Sequence, residues 1–417
     1  MTPNPGLHNS SWRNDPSTPL LALLLIGALG AYGMFDAAFV GVVSGQRLMY
    51  AVVALACVIA IVAGVWQLRL TRREAIFCLA LMLCTALWLL PVATADRIIA
   101  VYVVGDIASV IAPAGLLLAG AIYPEIFRST TAMVVIGVLL SIALVISIAL
   151  AGASADGRFE SPHDLLLALL WLSLFRIKGI ARLLPLGLLL VAFVVTLRSG
   201  ERASTILWIY GAMYVAALVW NGRRLLLAAI PAVIVVAFVA GTAIQGMAVS
   251  ALEQSRFSEN LDGQVDDSLL SRVSEAQDAI QAMIDRGRPL NYLLGFGHGA
   301  TFVPVFSSLR NAVADGVVHN IHIGPVLIIY RYGLLGLLIY LFLLYRLAHS
   351  FFSHRRRIAE GSISTNELFF TFATTMYLLD GLVFNVIVDP GFSFAVAGYL
   401  HYACRPVTGV PLRIVTA

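Results

Sequence analysis

Residues 295–345 read GFGHGATFVPVFSSLRNAVADGVVHNIHIGPVLIIYRYGLLGLLIYLFLLY. Glycines at 295, 297 and 299 break the backbone into turns. After His319-Asn320 the chain becomes apolar and stays so through Tyr345. At about 1.5 Å per residue such a run is long enough to cross a hydrocarbon core of about 30 Å. The spacing predicts a membrane helix over 320–348, approached by a surface loop and carrying Arg331 far from either end. Gly333 and Gly336 lie three apart, which permits close helix approach.

The same signature recurs along the chain. Of its 417 residues 60% are hydrophobic and 12% charged, and the mean hydropathy is +0.90. A water-soluble domain of this composition would lack a polar surface, so the fold class is an all-α polytopic membrane protein. About twelve segments are expected, near 20–43, 48–66, 75–92, 98–121, 131–151, 164–176, 180–197, 203–220, 224–248, 320–348, 367–388 and 392–404. The sixth and twelfth are short and read as tilted or re-entrant; a count of ten or eleven follows if 164–197 crosses once. The chain divides into an N-terminal tail (1–18), N-terminal helices (19–248), an outer loop (249–318), C-terminal helices (319–404) and a C-terminal tail (405–417).

Basic residues orient these segments. With the N-terminus inside, 16 fall on the inner side: Arg13, Arg69, Arg72, Arg73, Arg128, Arg176, Lys178, Arg182, Arg223, Arg224, Arg346, Arg355, Arg356, Arg357, Arg405 and Arg413. The short outer loops hold 5: Arg47, Arg97, Arg158, Arg198 and Arg202. This bias puts both termini in the cytoplasm. Scattered as they are, the arginines report topology rather than nucleic-acid binding. Cys57, Cys78, Cys84 and Cys404 lie within apolar spans and suggest neither a disulfide framework nor a zinc site.

The loop over 249–318 carries nine acids and five arginines. Within it, Ser268–Arg286 has helical spacing, with Leu269, Leu270, Val273, Ala276, Ile280 and Ile284 on one face. It is expected to lie on, or cap, the outer membrane surface.

Charges within the spans mark candidate sites, because each costs roughly 3 kcal/mol or more unless paired or facing water. Counted along straight helices, Asp36 lies about 10 Å, and Asp106 and Asp380 about 12 Å, below their outer ends; Arg331 lies about 16 Å below Asn320. The pattern implies a cavity open to the outside. Arg331 and Asp380, on successive helices, could pair, either to hold substrate or to lock the helices. Asp36 and Asp106 fit structural hydrogen bonds. Arg198 and Arg202, four apart where one helix ends and the next begins, form a potential phosphate clamp or a solvated anchor.

The order Ser199-Gly200-Glu201-Arg202-Ala203, Arg272 on the loop helix, Gly295-Phe296-Gly297, then His319-Asn320 with Gly333-Leu334-Leu335-Gly336 resembles the O-antigen ligase and polysaccharide polymerase superfamily. The resemblance covers about residues 165–345. It departs at Glu201, where the family often has Ser, so either Arg198 or Arg202 is the functional arginine. It also lacks the tryptophan often found after the loop arginine.

The resemblance implies a bacterial inner-membrane enzyme, with its active site facing the periplasm. Such an enzyme passes a glycan from undecaprenyl pyrophosphate to lipid A–core or to another lipid-linked glycan. On that basis His319 is the catalytic base and Arg202 and Arg272 grip the pyrophosphate. Arg198, Asn320, Arg331 and Asp380 contact substrate, and His322 and His298 are alternatives to His319. No metal or other cofactor is implied; Asp266-Asp267 is the nearest approach to a metal-binding pair. A flippase or transporter of lipid-linked oligosaccharide is the non-enzyme alternative, and a membrane scaffold is a third.

Overall fold

The computed structural model describes residues 70–92, 99–151, 164–176, 179–199, 207–208, 210–214, 267–305, 317–319, 321–360, 362–381 and 390–405. The expected segments 20–43, 48–66 and 224–248, most of 203–220, and Asp36, Arg202 and Asn320 lie outside them. Among the described residues the regular structure is helical except for one antiparallel bridge, Phe302 to Val318.

In chain order the helices are α1 (Arg72–Leu87), α2 (Leu89–Val92), α3 (Ala100–Ile122), α4 (Glu125–Arg128), α5 (Thr130–Ala151), α6 (Asp164–Arg176), α7 (Leu183–Ser199), α8 (Asp267–Arg286), α9 (Pro289–Leu294), α10 (Gly324–Ala359), α11 (Thr365–Asp380) and α12 (Pro390–Cys404). Pro289, Pro325 and Pro390 stand at helix starts, where a missing N–H costs nothing. Thr71 and Glu74 form a capping box on α1, and Ser364 caps α11.

Among the described residues, three stretches are long and apolar enough to cross a membrane: Arg72–Val92, Tyr102–Ile122 and Gly324–Ile358. Their exposure is inverted relative to a water-soluble protein. Leu79, Val104 and Phe342 are each more than 60% exposed, while Glu74, Asp106 and Arg331 are at most 2% exposed. Apolar side chains face outward and ionised ones inward, as a lipid solvent requires. The interior is aromatic: Phe127, Phe370 and Phe394 pack edge-on and tilted against one another, and Gly398 lies where any Cβ would enter the Phe370 ring.

The long expected helix over 320–348 is two helices. Gly333 adopts φ 62° and ψ −159°, which breaks α10. The break strands the carbonyls of Tyr330, Arg331 and Tyr332, and neighbours satisfy all three: Phe296 N–H donates at 2.9 Å, Gly297 N–H at 2.8 Å and the Trp88 indole at 3.2 Å. The loop glycines allow this approach. Gly295, Gly297 and Gly299 all have positive φ; Gly297 lies against the Trp88 carbonyl and Val92, and Gly299 against Val103. Gly333 is therefore the break itself as well as a close-packing glycine, with the Leu293 backbone of α9 in the space beside it. Gly297→Ala is expected to combine left-handed strain with overpacking, costing roughly 2–4 kcal/mol. A clear fall in unfolding temperature in detergent would register it.

Helix α8 leaves three residues of its expected apolar face exposed, as a helix lying on a membrane surface would. Its buried stripe is Glu275, Ala276, Asp278, Ala279 and Met283, whereas Val273, Ile280 and Ile284 are exposed. Two buried acids fix this rotation: Asp278 accepts from Val305 N–H at 2.9 Å, and Glu275 holds His322.

Candidate functional site

Asp106 is where the site is assembled. It lies on the second turn of α3, 2% exposed, and joins three segments distant in sequence. One carboxylate oxygen accepts from Arg331 Nη1 at 2.9 Å and lies 3.4 Å from His319 Nε2. The other accepts from Gly299 N–H at 2.7 Å. Arg331 Nη2 donates to the His319 carbonyl at 2.5 Å.

This geometry corrects the depth read from the sequence. Helix α10 begins at Gly324, and Arg331 precedes its break, so the guanidinium lies level with His319 rather than about 16 Å beneath Asn320. Arg331 forms its ion pair with the carboxylate of Asp106.

His319 is held on every side. The bridge between Phe302 and Val318 aligns the two arms of the loop, and His319 Nδ1 lies 3.1 Å from the Ala300 carbonyl. Its ring stacks on Tyr102 at 4.1 Å and 5°. Both ring nitrogens thus face acceptors, although a neutral imidazole has one N–H to give. Burial, and then the Arg331 guanidinium, lowers its pKa, with Asp106 opposing. His298, buried beside the Trp88 and Tyr332 rings, is lowered by burial as well. The sign follows from linkage. Where the folded state holds a histidine neutral, the unfolded state binds more protons below about pH 6.5, so stability falls as pH drops. Unfolding temperature measured from pH 7.5 down to 5 is expected to decline, and less so in His298→Gln.

His322 is built differently. Its Nδ1 lies 2.6 Å from Glu275 Oε2, its backbone N–H reaches the same oxygen at 3.4 Å, and its side chain is 44% exposed while that of Glu275 is 2%. A proton on Nδ1, shared with the carboxylate, leaves the Nε2 lone pair available. This is the arrangement in which a carboxylate orients an imidazole base. Arg272, half-buried, sits three residues before Glu275, about one turn along α8.

The remaining expected site residues are placed less closely. Arg198 lies in the last turn of α7, which packs on α5 and α6. Asp380 is partly buried at the end of α11. Among the described residues no group of three His, Cys, Asp or Glu could hold a metal ion. Sequence reasoning missed Glu275, one acid among nine in the loop; its one signal is its place three residues after Arg272. It also passed over Tyr102 and treated Asp106 as an isolated hydrogen-bonding group.

No protein-family model matches the chain, and no curated protein matches it.

Proposed function

We propose that the chain is a multi-pass, metal-independent glycosyltransferase of the bacterial inner membrane, of the O-antigen ligase or polysaccharide polymerase type. In this reading it has about twelve spans, cytoplasmic termini and a periplasmic site. It moves a glycan from undecaprenyl pyrophosphate to a sugar hydroxyl on lipid A–core or on a second lipid-linked glycan. The observation that carries the reading is the exposed His322 imidazole, backed by buried Glu275 one turn from Arg272.

The roles follow from the chemistry. His322 takes the proton of the attacking hydroxyl as its oxygen bonds to the anomeric carbon and the bond to pyrophosphate breaks. Arg272, with Arg202 or Arg198, stabilises the departing negative charge, a task preorganised cations perform in place of magnesium. His319, with both nitrogens already engaged, is a positioning residue together with Asp106 and Arg331. Asn320 and Asp380 contact sugar.

The opposite end of the helices favours an enzyme over a flippase. There Arg405 grips buried Glu74 at 2.7 and 3.0 Å, and Arg357 forms a two-pronged ion pair with buried Glu367. These pairs tie α12 to α1 and α10 to α11, whereas alternating access requires that end to open.

The test is made in cells lacking the gene and complemented with variants. Arg272→Ala, Arg202→Ala or His322→Ala is expected to stop transfer while lipid-linked donor accumulates on the periplasmic face. Donor trapped on the cytoplasmic face would identify a flippase and overturn the proposal. Polymer remaining on undecaprenyl in the deletion strain marks a ligase; a single-repeat product marks a polymerase.

A further inference from the structure

We propose that helix α9 and the end of α8 form a lip that dips into the outer leaflet and docks an anionic phospholipid, with its headgroup phosphate at Arg286 and Arg288 and its chains on Leu290 and Leu293. The inference depends on the membrane placement of α10 and not on the transfer chemistry.

Depth is the first argument. The turn after α9 is wedged among the membrane helices: Gly295 touches the backbone of Arg331 and Tyr332, and Gly297 touches that of Trp88. The Leu293 backbone itself fills the space beside Gly333, where α10 breaks. Helix α9 is therefore level with the break rather than above the bundle. Irregular backbone at such depth is tolerated because protein satisfies it, here through the Phe296 and Gly297 amides.

Sidedness is the second. Helix α9 buries Asn291 and Leu294 and exposes Leu290 at 45% and Leu293 at 51%. Its neighbours expose leucines too: Leu334, the first residue after the break in α10, and Leu89 and Leu90 of α2. Since α2 and α10 belong to stretches able to cross the membrane, their outward leucines meet lipid, and Leu290 and Leu293 extend that strip. A water-facing lip would leave a continuous apolar band in solvent.

Charge is the third. Arg286 and Arg288 are both exposed and bracket Gly287, immediately before α9. Arg286 is held beside the loop, its Nη2 3.4 Å from Tyr330 Oη and its guanidinium 5.7 Å from the Phe296 ring centre. The adjacent acid, Asp285, accepts from Gln281 at 2.8 Å, back along α8. Two arginines above an apolar strip match a phosphate headgroup above its acyl chains.

The test uses the full-length protein in nanodiscs of phosphatidylglycerol or phosphatidylcholine. Wild type is expected to unfold several degrees higher in phosphatidylglycerol. Arg286→Gln with Arg288→Gln removes that difference, and its unfolding temperature in phosphatidylcholine reports whether the variant folds. In a background with the four native cysteines replaced, a nitroxide at Leu293→Cys should be reached by oxygen and shielded from a water-soluble nickel complex; one at Gln281→Cys should behave oppositely. A nickel-accessible label at 293, or a lipid difference that survives the double substitution, would overturn the proposal.

Discussion

Asp106→Ala is expected to be the most destabilising single substitution in the described part of the protein. It leaves the Arg331 guanidinium, 1% exposed, without its carboxylate and strands the Gly299 amide and the His319 ring. Breaking a buried ion pair from one side costs about 3–5 kcal/mol, because the surviving charge stays out of water. The expected result is little folded protein after detergent extraction, or a strongly lowered unfolding temperature. Removing both charges discriminates the cause: Asp106→Leu combined with Arg331→Met should be more stable than Asp106→Ala alone, since a neutral pair avoids the desolvation penalty. If Asp106→Ala unfolds at the wild-type temperature, the cluster does not hold the glycine loop to α3 and α10.

The second large effect is on transfer rather than stability, and it separates two histidines three residues apart. His322→Ala removes a half-exposed ring but leaves buried Glu275 without it, so a modest loss of stability is expected beside a fall in transfer rate of roughly 10²–10⁴-fold, the usual scale for losing a general base. Glu275→Gln keeps the shape but not the charge that orients the imidazole, and a smaller loss is expected. His319→Ala should act mainly through the fold, since it removes the stack on Tyr102 and the contact with Asp106. Unfolding temperature and transfer rate, measured on the same preparations, decide the assignment. A stable, inactive His319→Ala beside an active His322→Ala would return the role of base to His319.

Much of the helical layout was legible from hydropathy, because lipid imposes length and apolarity on each span. The stretch 164–176 is reproduced to the residue, and α3, α5, α7 and α12 lie within a few residues of expectation. What escaped was everything depending on contacts across the sequence. Hydropathy does not register Gly333 as a break: the residues on both sides are apolar, and the reason for the break is the amides of Phe296 and Gly297, over thirty residues upstream. The depth of Arg331 was misjudged because the helix starts only at Gly324 and the guanidinium reaches back to the His319 carbonyl, so a count along one axis from residue 320 fails. The extent of helix α8 was legible from its spacing, but its buried stripe was not, because Glu275 and Asp278 hold loop groups that periodicity does not see. In the site, charge at depth singled out Asp106 and Arg331 separately. That they meet, and that His319 and Gly299 join them, required the packing of the loop against α3 and α10.

The most direct test of the account is transfer by the purified protein in proteoliposomes, supplied with a glycan on undecaprenyl pyrophosphate and an acceptor bearing free sugar hydroxyls, in the presence of EDTA. The account predicts a new glycosidic product and released undecaprenyl pyrophosphate, abolished in Arg272→Ala and undiminished by the chelator. Movement of intact donor between leaflets without product, or product formation that stops when divalent metal is chelated, would contradict it.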